Sequence, residues 1–239
     1  MIKLAVSGCR GRMGERITQL AWTDRDFAVT TLLEHQTHPK ANEKINGLPI
    51  HTNPSALKGC DVLIEFTTPE ATLEHLAACV RHGVRMVIGT TGLTPAQIEE
   101  IKKASEKIAI VFSSNMSVGV NLVFKLTELA AAQTAKTYTV TMEEAHHIHK
   151  KDAPSGTAKT LAQIVEAASG VKVADIKSIR EGEIVGDHAV TFESGEDVIT
   201  ISHHAKSRDI FVRGALVAAK FLVDQKIGLF TMQDVLRLK

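Results

Sequence analysis

The chain has 239 residues, enough for one large domain or two modest ones with a proper core. Its 44% hydrophobic and 23% charged residues suit a soluble globular protein, and a net charge of +1 gives no reason to expect nucleic acid or an anionic membrane as partner. Cys9, Cys60 and Cys79 lack CxxC spacing, which argues against a disulfide framework or structural zinc. The strand-like start and the absence of any run near the roughly 18 apolar residues of a membrane span predict a cytoplasmic protein.

In chain order, residues 2–8 form a short buried-strand pattern and 11–22 a helix, and 27–34 read as a second strand. A third strand at 61–67 precedes a helix at 69–83 that has Pro at its start and Gly at its end. Strand 84–90, helix 95–107 and strand 108–114 continue the rhythm. Strands bounded by helices in this way predict βαβ units in a Rossmann-type, doubly wound parallel sheet. After residue 115 the rhythm changes to a long helix at 120–135, a strand at 138–146 and a helix at 157–169. Strand-like pieces at 175–181, 187–194 and 196–205 then predict a second α+β domain with an antiparallel or mixed sheet. The tail, 209–225 and the following IGLFTMQDVL, reads as helical and able to cover the first domain. The expected division is 1–117 plus about 217–239 against 118–216.

The first strand runs into Gly8, Cys9, Arg10, Gly11, Arg12, Met13 and Gly14, and a helix follows. Glycines at such a turn let the backbone approach a pyrophosphate, while the helix N-terminus aims N–H groups at it. The spacing is GxxGxxG, with Arg10 in place of the usual middle glycine, so a packing-only reading stays open on the motif alone. Glu34 ends the second strand, about 20 residues on, where a carboxylate would take the adenosine ribose hydroxyls. Glu34 repels a 2′-phosphate and its neighbour is His35, whereas Arg10 and Arg12 could reach one; NADH and/or NADPH is expected. Gly89, Thr90 and Thr91 follow the fourth strand, and Ser113, Ser114, Asn115 and Met116 the fifth. These strand ends suit nicotinamide and its ribose, and equally suit ordinary turns.

The densest chemistry lies in EEAHHIHKKDAPSGTA, residues 143–158. Ser155 or Thr157 would cap the helix that follows, and that helix start offers a carboxylate-sized anion site at Gly156 and Thr157. His147 and Lys150 add positive charge for an acidic substrate, and His146 and Lys150 are candidates for proton transfer. A metal reading of His146, His147 and His149 is disfavoured. Adjacent residues on a strand point to opposite faces, and Lys150 and Lys151 repel a cation. A solvated basic loop is the bland alternative. The second basic stretch, residues 203–208, is another candidate for lining the cleft, with a surface or subunit contact the favoured expectation.

The pattern E-x-H-x-x-x-K-x-D-x-P-S-G-T-A over residues 144–158 resembles the signature of the dihydrodipicolinate (4-hydroxy-tetrahydrodipicolinate) reductases of bacterial lysine and diaminopimelate biosynthesis. GRMG, EFTTPEATLEHL, VIGTTG, SSNMSVGVN, SHHAKSR and GLFTMQDVL are similar to family blocks, in the family's order. The resemblance implies an N-terminal dinucleotide domain completed by the C-terminal helix, and a central domain that binds substrate and builds a homotetramer. It implies reduction of a cyclic, unsaturated dicarboxylate by NADH and/or NADPH, with no metal. It further implies His146 as proton donor/acceptor and Lys150 as proton donor, and substrate-carboxylate contacts from His147 and the Ser155, Gly156 and Thr157 turn. Cofactor contacts are implied for residues 8–13, Glu34, residues 89–91 and residues 113–116. Four positions depart from the pattern: Arg10 replaces a small residue, His35 and Thr68 stand where some members carry arginine, and Met116 replaces a frequent Phe. A dehydrogenase of another small dicarboxylate such as aspartate, a non-catalytic dinucleotide sensor and a metal-dependent hydrolase are the rival expectations.

Overall fold

The computed structural model describes residues 1–238. In chain order its elements are β1 (Ile2–Ser7), α1 (Arg12–Thr23), β2 (Phe27–Leu33), β3 (Lys44–Ile45), β4 (Leu48–His51), β5 (Val62–Glu65), α2 (Pro69–His82), β6 (Arg85–Ile88), α3 (Pro95–Ser105) and β7 (Ala109–Phe112). They continue with α4 (Val118–Thr134), β8 (Thr139–His146), α5 (Gly156–Ser169), β9 (Asp175–Arg180), β10 (Asp187–Glu193), β11 (Val198–His204), α6 (Asp209–Val223), β12 (Gly228–Phe230) and α7 (Met232–Val235). The described residues fall into two compact units. Met1–Met116 with Phe211–Arg237 forms the first, and Ser117–Ile210 the body of the second.

The first unit is built on an eight-stranded sheet ordered β12-β7-β6-β5-β1-β2-β4-β3, parallel except where β3 runs against β4. Leu4, Val6, Val62, Ile64, Val87 and Ile110 are fully buried, as expected of strands covered on both faces. The order reverses between β1 and β5, and such a switch point opens a crevice at the strand carboxyl ends. The helices are locally specified: Thr68 caps α2 ahead of Pro69, Gly83 closes it in the left-handed region, and Thr94 and Gln97 form a capping box on α3.

One expectation needs correction. The tail is helical over α6, but the IGLFTMQDVL stretch that follows contains β12, which pairs in parallel with β7, and only Met232–Val235 is helical there. The open edge of β7 decides the matter, since the short Gly-Leu-Phe run can satisfy backbone groups by pairing. The β3–β4 hairpin was not expected. Its turn is Asn46-Gly47, both left-handed (φ 49° and 83°), the geometry of a two-residue primed turn.

In the second unit β11-β10-β8-β9 form a mixed sheet, antiparallel except for the β8–β9 pair. Helix α4 and helix α5 contribute Val120, Phe124, Leu161 and Val165 to the core, against Val140, Met142, Val190 and Phe192 from the strands. Strand period 2 puts Val140, Met142, Glu144 and His146 on one buried row of β8. That row therefore begins as hydrophobic core and ends as two titratable groups. On β10 the same alternation lines His188 up with Val190 and Phe192, directly opposite Glu144 in register.

Candidate active site

The glycine loop of the first unit fits a dinucleotide. Gly8 is left-handed (φ +57°), and a Cβ on Gly14 would sit 2.1 Å from the Gly8 carbonyl oxygen, so backbone packs directly on backbone. Gly11 is the N-cap of α1 and provides no side-chain hydrogen bond to it, leaving the opening of that helix to an anion. Gly8, Arg10, Gly11 and Glu34 line one cavity of about 480 Å³, together with Phe66, Thr67, Thr68 and His75. Glu34 accepts from the Arg10 backbone N–H (2.9 Å) and from the His35 N–H (2.9 Å). Two carboxylate oxygens keep acceptor capacity beyond these bonds.

Beneath this cavity lies a group the sequence reading missed. Glu65 is 0% exposed and accepts from Ser7 Oγ (2.7 Å) and Thr67 Oγ1, and its Oε2 lies 2.6 Å from His75 Nδ1. Burial opposes a charged His75, but the hydrogen bond and charge of Glu65, with Glu74 and Glu34, outweigh it and leave its pKa raised. The signal was present: a carboxylate inside the apolar run Val62–Glu65 demands a partner.

The other expected cofactor residues have diverse environments. Cys9 is fully buried, its N–H donates to the Leu33 carbonyl (3.1 Å), and burial pushes its thiol up to about 12, so it is inert packing. Arg12 is exposed and Met13 packs against the core. Gly89 abuts the Phe66 ring. Thr90 is buried, its hydroxyl accepting from the Thr67 N–H (3.1 Å) and bonded to Thr72 (2.9 Å), while Thr91 is exposed. Ser113 Oγ donates to the Asn115 carbonyl (2.9 Å), Ser114 is exposed, and the Met116 side chain belongs to the hydrophobic core.

In the second unit the sequence loop does not act as a histidine cluster. His146 is 8% exposed and its Nδ1 is hydrogen-bonded to Glu144 Oε2. The other Glu144 oxygen receives Arg180 Nη2 (2.8 Å) and the Ser155 N–H (3.3 Å). Burial, opposed by Glu144 and reinforced by Lys150 and Arg180, leaves the His146 pKa lowered. The free nitrogen, Nε2, lies only 3.1 Å from where a Cβ on Gly186 would sit, so glycine there keeps it uncovered. Lys150 Nζ is held by Asp152 at 2.8 Å. His147 is half-buried, its Nδ1 without a partner among the described residues and its ring 6.0 Å from that of the exposed His149.

Ser155 is the N-cap of α5. Its hydroxyl accepts from the Ala158 N–H (3.2 Å) and lies 3.3 Å from His188 Nε2. Gly156 follows it at the helix start, where an added Cβ would meet nothing within 4 Å, so that backbone faces open space. His188, absent from the sequence reading, is 6% exposed, and its ring packs edge-on to His146 at 5.1 Å. Burial, with the His146 charge behind it, lowers its pKa to about 4. Glu144, His146 and His188 bring potential ligand atoms within 4.8 Å of one another. Arg180 already places a positive charge on Glu144, so the grouping is an ion-pair network in which Glu144 is shared by His146 and Arg180.

A switch-point crevice with a glycine cradle in one unit, and a buried acid–histidine network in the other, define a class: an α/β oxidoreductase that takes its reducing power from a pyridine nucleotide. Residues 2–116 match the family described as dihydrodipicolinate reductase, N-terminus, and residues 119–236 the corresponding C-terminus. The chain belongs to the dihydrodipicolinate reductase family, whose members serve lysine and diaminopimelate biosynthesis. It is 41% identical to the 4-hydroxy-tetrahydrodipicolinate reductase of Polynucleobacter necessarius over 265 aligned residues, covering 100% of both chains. The corresponding protein of Nitrosomonas eutropha is 42% identical over 100% of this chain and 99% of its own. Among solved structures, a dipicolinate-bound dihydrodipicolinate reductase from Paenisporosarcina sp. TG-14 superposes with a TM-score of 0.84 at 25% identity, covering 98% of each chain. An aspartate dehydrogenase from Thermotoga maritima shares only the fold, at 13% identity and a TM-score of 0.55 over 95% of this chain and 98% of its own.

Proposed function

We propose that the chain reduces 4-hydroxy-tetrahydrodipicolinate (dihydrodipicolinate) to tetrahydrodipicolinate, with NADH and/or NADPH as reductant. The carrying observation is the Arg180–Glu144–His146 network beside the open start of α5. A reduced nicotinamide supplies the hydride when bound. The chain must then bind a dianion, orient it and deliver a proton, and the 4-hydroxyl, where the substrate carries it, leaves as water.

The Gly156 and Thr157 amides, with His147, receive a substrate carboxylate, and the helix dipole adds to their attraction. Ser155 organises that turn, because its hydroxyl is engaged as the cap. His146 Nε2 is the proton-carrying atom, with Lys150 beside it in the sequence as the second donor. In the free protein the lowered pKa keeps His146 neutral. An arriving dicarboxylate adds negative charge and raises its proton affinity, so the proton is loaded when it is needed.

In this reading the first unit holds the nucleotide through residues 8–13 and Glu34, and through residues 89–91 and 113–116 at the nicotinamide end. The second unit binds substrate and assembles a homotetramer. Exposed Val198 and Ile199 on the edge strand β11 support the assembly role. No described helix is long and apolar enough to cross a membrane, in keeping with a cytoplasmic location.

The test is a coupled assay in which the product of dihydrodipicolinate synthase is supplied with each nucleotide and absorbance is followed at the reduced-nicotinamide band. Substrate-dependent oxidation that persists in EDTA is expected. Oxidation only with an aspartate-type substrate, or none at all, would reject the reading.

A further inference from the structure

Arg10 stands where the dinucleotide fingerprint has a glycine, and its side chain is held in a particular way. Arg10 Nη2 lies 2.6 Å from Glu43 Oε2, while the Arg10 backbone N–H donates to Glu34 Oε2 at 2.9 Å. Arg10 and Glu34 line the same cavity, and the Arg10 backbone is bonded directly to the ribose-side carboxylate. The Arg10 side chain is 19% exposed and its Nε is buried without a partner among the described residues, so Nη2 is the end that Glu43 holds. The Glu43 backbone is anchored, while its side chain is 52% exposed. Its N–H donates to the Lys40 carbonyl (3.2 Å), and its own carbonyl accepts from the Ile50 N–H (3.2 Å) on β4.

In dinucleotide pockets a carboxylate at this position takes the ribose 2′-hydroxyl of NADH, and a nearby arginine takes the 2′-phosphate of NADPH. This chain carries both groups, and the arginine is already engaged by an acid. We propose that Glu43 is a specificity-determining residue. By pairing with Arg10 it withholds that guanidinium from a 2′-phosphate and tilts the chain toward NADH. A 2′-phosphate entering here must displace Glu43 from Arg10 and lie beside two carboxylates, whereas NADH meets neither penalty. The inference rests on the glycine-loop reading of the cofactor site.

The test is direct titration of the full chain with NADH and with NADPH, read by the fluorescence of bound reduced nicotinamide. Glu43→Gln, Arg10→Leu, the double variant and Glu34→Ala are titrated alongside. Glu43→Gln should tighten NADPH about three- to fivefold, the range of an exposed ion pair, and move NADH by less than about twofold. The NADH arm also serves as the folding control. The gain should shrink with added salt and vanish in the Arg10→Leu background. An unchanged NADPH-to-NADH ratio in Glu43→Gln, or the same gain without Arg10, would overturn this role while leaving the pocket intact. Nucleotide binding indifferent to both Glu34→Ala and Arg10→Leu would instead remove the glycine-loop assignment, and this inference with it.

Discussion

Each of the two sheets buries a glutamate against a histidine, and the two pairs have opposite proton affinities. In the first unit Glu65 receives only neutral hydroxyls besides His75, and its charge is left to stabilise the imidazolium, so His75 has a raised pKa. In the second unit burial lowers the His146 pKa; Glu144 opposes that, and Lys150 and Arg180, which shares Glu144, reinforce it, so the net shift is downward despite a contact of the same kind. The lesson is that the carboxylate–histidine contact alone does not set the direction of the shift; burial and the neighbouring charges decide it together. One histidine is held toward its charged form beside a cavity of the first unit, and the other toward its neutral form.

The sharpest way to break this comparison is to remove each histidine. His146→Gln should lower kcat by roughly 10²–10⁴-fold with KM changed far less, as expected for loss of a proton-transfer group. His75→Gln should leave kcat at saturating nucleotide within about tenfold, yet cost about 1–3 kcal/mol in stability by leaving Glu65 buried without its partner. Steady-state kinetics and denaturant unfolding of both variants measure this, and a kinetic loss confined to His75→Gln would reverse the assignment.

Acid should separate the two sheets next. His188 titrates at about 4 instead of 6.5, so its neutral form stabilises the fold fully above pH 6.5, and that stability is lost as pH falls toward 4. For His75 the raised pKa acts in reverse: its contribution is full below the unfolded value and lost as pH rises through the folded one. Going from pH 7.5 to 5 should cost the second sheet on the order of 2 kcal/mol and the first sheet nothing from this source. Amide exchange of β10 against β1, corrected for intrinsic pH effects, is the readout; equal responses would contradict the contrast.

Smaller effects should follow at the helix starts. Gly156→Pro, which removes one backbone N–H at the first position of α5 where proline is tolerated, should raise KM for the dicarboxylate about tenfold through one lost bond to a charged group, with kcat nearly kept. An unaltered KM would argue against the anion site. Thr94→Ala, which removes an exposed cap on α3, should cost only about 1 kcal/mol in thermal or denaturant unfolding. Ser155→Ala should exceed it, because Ser155 is buried and its hydroxyl also lies at His188.

What could be read in advance followed from local rules. The α2 helix, bracketed by Pro69 and Gly83, and the buried runs of β1, β5, β6 and β7 announce themselves by composition and period. The motif around His146 was legible because its residues are close in sequence. His188 and Arg180 were not, since they reach Glu144 only through strand register across β8, β9 and β10. The Glu65–His75 pair links a strand to the helix after it, and its only signal was an acid in an apolar run. The strand β12 was misread because three residues carry no period of their own, and the edge of β7 determines what they become.

That edge bears on how the molecule is made. Val212, Ala215, Leu216, Ala219 and Leu222 of α6 sit in the same core as Leu4 and Val6 of β1, although some 200 residues separate them along the chain. A ribosome delivers β1 first and α6 and β12 long afterwards, while the stretch 117–210 emerges whole in between. The nucleotide-type sheet must therefore wait, one flank bare, until α6 and β12 have emerged, and the middle unit is free to fold ahead of the unit that precedes it.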